Sequence, residues 1–68
     1  MNEIIFLVRE PPEGGYAAEA LGQAIFTVAD SLEELNEMVR DAVICDFDEP
    51  DRPKIIHLHF VREEVIAV

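Results

Sequence analysis

Two histidines, His57 and His59, are the side chains of this 68-residue chain whose spacing is best suited to shared chemistry. On a β-strand, residues two apart project from the same face, so both imidazoles would point the same way. Imidazole nitrogens are good ligands for a transition metal, but a metal site needs a third ligand, which only a distant acid or Cys45 could supply. Metal binding or a minimal enzyme using His57 and His59 is therefore kept as an alternative. The other interpretation makes them polar points in a protein interface.

A second group of chemically active side chains is acidic and follows the longest helical pattern. These residues resemble a calcium-binding loop in composition only. Pro50 and Asp51 stand where an EF-hand loop requires an oxygen ligand and a glycine, and His57 stands where its bidentate glutamate belongs. We predict a solvated acidic loop, made of Asp46, Asp48, Glu49 and Asp51.

The single cysteine, Cys45, lies inside the helical pattern, where we expect it to face inward as a small hydrophobic residue. Such a position lacks the electropositive surroundings that activate a thiolate. One cysteine forms no internal disulfide and fits a reducing compartment. The sequence also lacks a Gly-x-Ser-x-Gly elbow and a Walker motif. We therefore expect no enzyme, no cofactor and no resident metal.

The charge of the chain is strongly acidic, with 15 Asp and Glu against 5 Lys and Arg and a formal net charge of −10. A field of this sign repels phosphate backbones and attracts basic proteins. We expect no direct nucleic-acid binding and a basic protein as the heterologous partner. No basic leader precedes the first apolar run, and no run is long enough to span a bilayer, so a cytoplasmic protein without membrane contact is expected.

One helix is predicted, over Asp30–Phe47. Ser31 and Glu34 have the spacing of a capping box, in which each side chain accepts a hydrogen bond from a free backbone amide. Apolar residues then recur every three or four positions and form one stripe that a sheet must bury. The stripe comprises Leu32, Leu35, Val39, Ala42, Val43 and Phe47.

Four strands are predicted around this helix, and the first, Ile4–Val8, is apolar on both faces, as is typical of a central strand. Turns at 10–15 and 21–23 separate three antiparallel strands, and a crossover through the helix returns a fourth strand parallel to the first. The expected fold is a single α+β domain of residues 1–68, with β-β-β-α-β order and sheet order 3-2-1-4. The other predicted strands are Tyr16–Ala20, Ala24–Val28 and Lys54–Arg62.

A single helix covers only one face of such a sheet, so we predict that the other face is an interface. In the last strand, Ile56, Leu58 and Phe60 are assigned to the core by alternation. A chain of this size also has a small core, which makes a homodimer or higher homo-oligomer the expected support. The predicted interface residues are Ile5, Leu7, Ile55, His57, His59 and Val61, extended by Val65, Ile66 and Val68.

Three runs carry a resemblance to a known family: GGYAAEALG from Gly14, IFTVADSLEEL from Ile25 and MVRDAV from Met38. Together they resemble the HicB antitoxins, over roughly residues 3–62. The resemblance implies a partial ribonuclease H fold and a non-enzymatic protein that masks a small basic RNA-cleaving toxin of the HicA type. The chain departs from the family where 21–23 replaces a proline-rich loop, and at Val68, beyond which the usual DNA-binding module is missing. We therefore expect a solitary HicB-like domain that does not repress its own operon unaided.

Overall fold

The fold is a four-stranded mixed sheet with one helix on one face, seen in a computed structural model that describes residues 2–62 and 64–68. In the order β3-β2-β1-β4, the β1–β2 and β2–β3 pairs are antiparallel and the β1–β4 pair is parallel. The α+β class, the β-β-β-α-β order and the sheet order 3-2-1-4 are thus confirmed. The elements are β1 (Glu3–Arg9), β2 (Tyr16–Ala20), β3 (Phe26–Ala29), α1 (Leu32–Asp46), a 3-10 turn at Glu49–Asp51, and β4 (Ile55–Phe60).

Strand β1 is central, as its apolar character on both faces predicted. Ile4, Phe6 and Val8 point to the helix side and are buried, while Ile5 and Leu7 point the other way and are half-buried. A neighbouring strand on each side satisfies its backbone and shields both rows of side chains.

Strand β3 begins two residues later than predicted, at Phe26 instead of Ala24. The Ile25 carbonyl accepts a hydrogen bond from the Ala20 N–H across the turn at 21–23, at 3.0 Å. Ala24 and Ile25 therefore belong to the closing of the turn and not to the strand itself.

Helix α1 begins where the capping box predicts. Ser31 Oγ accepts the Glu34 N–H at 3.1 Å, and Glu34 Oε1 accepts the Asp30 N–H at 3.2 Å. These two bonds satisfy backbone donors that the first turn leaves free, which places the first helical residue at Leu32.

The C-terminus of α1 is held by a basic side chain. Arg52 Nη2 donates to the carbonyls of Ile44, at 3.3 Å, and Phe47, at 3.4 Å. A cation at this end complements the helix dipole and offsets the acidic residues that follow the helix. Pro50 and Pro53 then lead the chain into β4.

The core lies between α1 and the inner face of the sheet, which we define as the face toward the helix. Leu35, Val39 and Val43 are buried in the helix and pack over the small Ala18 and Ala20 of β2. The main contacts of α1 are with β3 and β2, so β4 is only partly covered.

Three sequence-based assignments are wrong. Phe60, predicted in the core, is 55% exposed, because its end of β4 lies outside the cover of the helix. Leu32 and Cys45, predicted to face inward, are exposed at the two ends of α1. The part of the chain that the structure describes contains no helix long and apolar enough to cross a membrane.

Candidate functional site

The candidate site is the outer face of the sheet, which we define as the face turned away from α1. Alternation and strand register bring its side chains into rows. One row runs from Phe26 through Glu19 and Leu7 to His59, and a second contains Ile5 and His57. The structure thus brings Ile5, Leu7, Ile55, His57 and His59 together on one surface, the surface on which they were predicted to lie.

This face is mixed in character: exposed apolar side chains lie on β3 and at the start of β4, and polar or charged ones, Arg9, Glu19, His57 and His59, lie between them and along β4. Phe26 is 64% exposed and Val28 54% exposed on β3, and half of Ile55 is exposed on β4. Among residues 2–62 and 64–68, no element packs over this face, since α1 lies on the other side. Large exposed apolar side chains on one uncovered sheet face are typical of an interaction surface.

His57 and His59 form the polar part of the face. His57 Nε2 lies 2.9 Å from Glu3 Oε1, and both side chains are largely open to water. The His59 ring meets the His57 ring edge-on, with centroids 6.2 Å apart and an interplanar angle of 85°. Because both side chains are partly open to water, a contact of this kind contributes at most about 1 kcal/mol of stability.

The metal alternative has no complete ligand set in the described part of the chain. No group of three or more His, Cys, Asp or Glu side chains is placed there to hold a metal ion. Cys45, proposed as a third ligand, lies on α1, on the opposite side of the sheet from the two histidines. The acidic loop residues are exposed and spread from the end of α1 to the 3-10 turn.

The remaining predicted interface residues lie at the end of β4 and beyond it. Val61 continues the ladder for one residue, because its N–H donates to the Val8 carbonyl at 2.8 Å. Residues 64–68 form neither helix nor strand, and the side chains of Val65, Ile66 and Val68 are exposed. In the described part of the chain, no strand pairing assigns these three residues to a face of the sheet.

Sequence reasoning missed three members of the outer face: Leu21, Phe26 and Val28. In β3 the polar side chain, Thr27, is buried and the apolar Phe26 and Val28 are exposed, so alternation of polar and apolar types does not mark the exposed face of this strand. Leu21 follows β2, and its N–H donates to the Ile5 carbonyl at 2.9 Å. One signal could have identified Phe26 as exposed. Glu19, its partner on the neighbouring strand, has to face water, and residues directly opposite each other point to the same face of the sheet.

Comparison with known proteins gives two relatives. The chain is 62% identical over 55 residues to a UPF0150 protein of Archaeoglobus fulgidus, covering 81% of this chain and 82% of that protein. It is 47% identical over 67 residues to a UPF0150 protein of Thermotoga maritima, covering 98% of this chain and 94% of that protein. No protein-family model and no solved structure matches the chain.

Proposed function

Because the chain belongs to the UPF0150 family and no described element covers the outer face of its sheet, we propose that it is a non-enzymatic protein-interaction module. Its partner is a small basic protein that docks on the outer face. A HicA-type RNA-cleaving toxin is the partner implied by the resemblance of Gly14–Gly22 and Ile25–Leu35 to the HicB antitoxins. The proposed location is the cytoplasm, where such a toxin acts and where a lone cysteine stays reduced.

The observation that carries this proposal is the exposure of Phe26 and Val28 on a face that no described element covers. Glu19 of β2 separates Phe26 from the half-buried Leu7 of β1 on the same face. Aromatic side chains such as Phe26 are enriched at protein interfaces, where a few buried anchors supply most of the binding energy. Polar side chains at the β4 side, His57, His59 and Glu3, provide hydrogen bonds at its rim.

The charge supports a basic partner. At a formal charge of −10, the chain attracts a cationic protein over long distances and repels acidic proteins and nucleic acids. Charge accelerates the encounter, while the apolar face slows dissociation.

The test uses the full chain and a purified HicA-type toxin. We expect stoichiometric binding by calorimetry and loss of RNA cleavage when the chain is in molar excess. Lysozyme, a small basic protein unrelated to the toxin, serves as the charge control and should not bind at physiological salt. Unchanged RNA cleavage in the presence of excess chain would refute the proposed partner.

Matched variants locate the surface. Phe26→Ser with Val28→Ser removes two exposed apolar groups from the outer face and should weaken toxin binding by roughly 10- to 100-fold. Leu32→Ser with Ile44→Ser removes two groups of similar exposure from α1, on the other side of the molecule, and should leave the affinity within about twofold. Equal losses in the two double variants would show that the outer face is not the docking surface.

A further inference from the structure

Within the described residues, strand β4 is a free edge of the sheet and lacks the usual protection of an edge strand. In the order β3-β2-β1-β4 it has one neighbour, β1. Its six residues include no proline and no lysine, arginine or acid. Soluble proteins normally protect a long edge with such residues, because unpaired backbone groups invite another strand. The opposite edge, β3, has only four residues.

The backbone groups that face the open edge can be identified from the existing ladder. Ile55 N–H donates to the Asn2 carbonyl at 3.1 Å, and Val61 N–H donates to the Val8 carbonyl at 2.8 Å. Since alternate residues of a strand face opposite edges, the odd-numbered residues of β4 face β1. The N–H and C=O groups of Ile56, Leu58 and Phe60 therefore point to the open edge.

The same three residues also lack full cover on the inner face. Ile56 and Leu58 are half-buried and Phe60 is 55% exposed, because α1 lies over β2 and β3. The free backbone groups and the incompletely buried apolar side chains thus belong to one set of residues, and this set is symmetric about Leu58.

We infer that a second copy of this chain pairs with β4 in antiparallel fashion, across a two-fold axis at Leu58. Leu58 then lies opposite Leu58 of the second copy, and Ile56 lies opposite its Phe60. This register joins only residues with edge-facing backbone groups and keeps both helices on one side of the sheet. Two four-stranded sheets become one sheet of eight strands. The outer face of each copy stays open.

The edge strand itself carries little charge. In a chain with a formal charge of −10, Ile55–Phe60 contains no acid and no lysine or arginine. The net charges of the two copies repel each other, and the register sets Lys54 of one copy opposite Arg62 of the other, so the pairing depends on the backbone groups and apolar side chains of β4.

The first test is the molar mass of the full chain in solution, by sedimentation over a concentration series. We expect a dimer that Phe60→Lys converts to a monomer, because a charge on the edge strand opposes pairing. Phe26→Lys, on the other edge and equally exposed, should leave the dimer intact. A wild-type monomer at every concentration, or a dimer that only Phe26→Lys dissociates, would overturn the inference.

The second test is the register, in a Cys45→Ser background. Leu58→Cys should form a disulfide between copies on mild oxidation, since facing residues of a hydrogen-bonded pair lie about 5.5 Å apart at Cα, within the disulfide range of about 4.4–6.8 Å. Ile56→Cys should not, because its own counterpart lies more than about 13 Å away. Cross-linking of both variants alike would exclude the Leu58 axis.

Dimer pairing and toxin binding use different surfaces, so their failures are distinguishable. Folded monomeric Phe60→Lys should still bind the toxin through Phe26 and Val28. If the wild-type chain is a dimer but does not bind the toxin, only the proposed function is contradicted. If it binds the toxin but is a monomer, only the edge pairing is contradicted.

Discussion

At the scale of single residues, the Thr27 hydroxyl is the clearest local defect. Thr27 lies on β3 with its side chain toward α1 and is 8% exposed. Its Oγ1 is buried and has no hydrogen-bond partner among the described residues. An unsatisfied buried hydroxyl costs about 1–3 kcal/mol relative to one that is paired or removed.

Thr27→Val should therefore raise the free energy of unfolding by about 1 kcal/mol, because valine has nearly the same shape and no group to desolvate. Thr27→Ser is the control: it keeps the hydroxyl and removes a buried methyl, which lowers the free energy of unfolding by about 1 kcal/mol. Urea unfolding measures both. A loss of stability in Thr27→Val would mean that the hydroxyl has a partner in solution.

At the scale of elements, the two chain reversals between antiparallel strands differ in their surroundings. Gly15, before β2, and Gly22, after it, share the same positive φ of +79°. A Cβ at Gly15 would lie 2.8 Å from the Ala29 carbonyl oxygen, whereas a Cβ at Gly22 would meet nothing within 4 Å. The first turn is thus packed against the end of β3, and the second is open.

Gly22→Ala should lower the free energy of unfolding by about 1 kcal/mol, the cost of placing a side chain at positive φ. Gly15→Ala should lower it by at least about 1 kcal/mol more, because the Ala29 backbone has to move as well. Urea titrations of the two variants give the difference directly. Equal decreases in the free energy of unfolding would show that the Ala29 backbone can move away from the new Cβ at no energetic cost.

At the scale of the whole molecule, the charge of −10 acts with opposite sign on the two proposed associations. Raising NaCl from about 50 mM to about 300 mM should slow the encounter with a basic toxin by roughly tenfold or more, because salt screens attraction. The same change should strengthen pairing between two acidic copies. Stopped-flow association rates and sedimentation measure the two effects, and a common direction would contradict the roles assigned to charge.

Much of the architecture was predictable because local rules agree with one another. The Ser31–Glu34 capping box located the start of α1, and the two-sided apolar run of β1 located the centre of the sheet. A central β1 and a crossover through one helix together predict the strand order 3-2-1-4 and one sheet face without a helix. Alternation along β1 and β4 then places Ile5, Leu7, His57 and His59 on that face.

The sequence by itself determined which residues share a face, since alternation in strands and periodicity in helices are properties of the local backbone. Only the tertiary structure decided which of those faces are covered. The lateral position of α1 over β3 and β2 depends on the packing of Leu35, Val39 and Val43 against the sheet, a contact between segments distant in sequence. That position leaves Phe60 exposed at the end of β4.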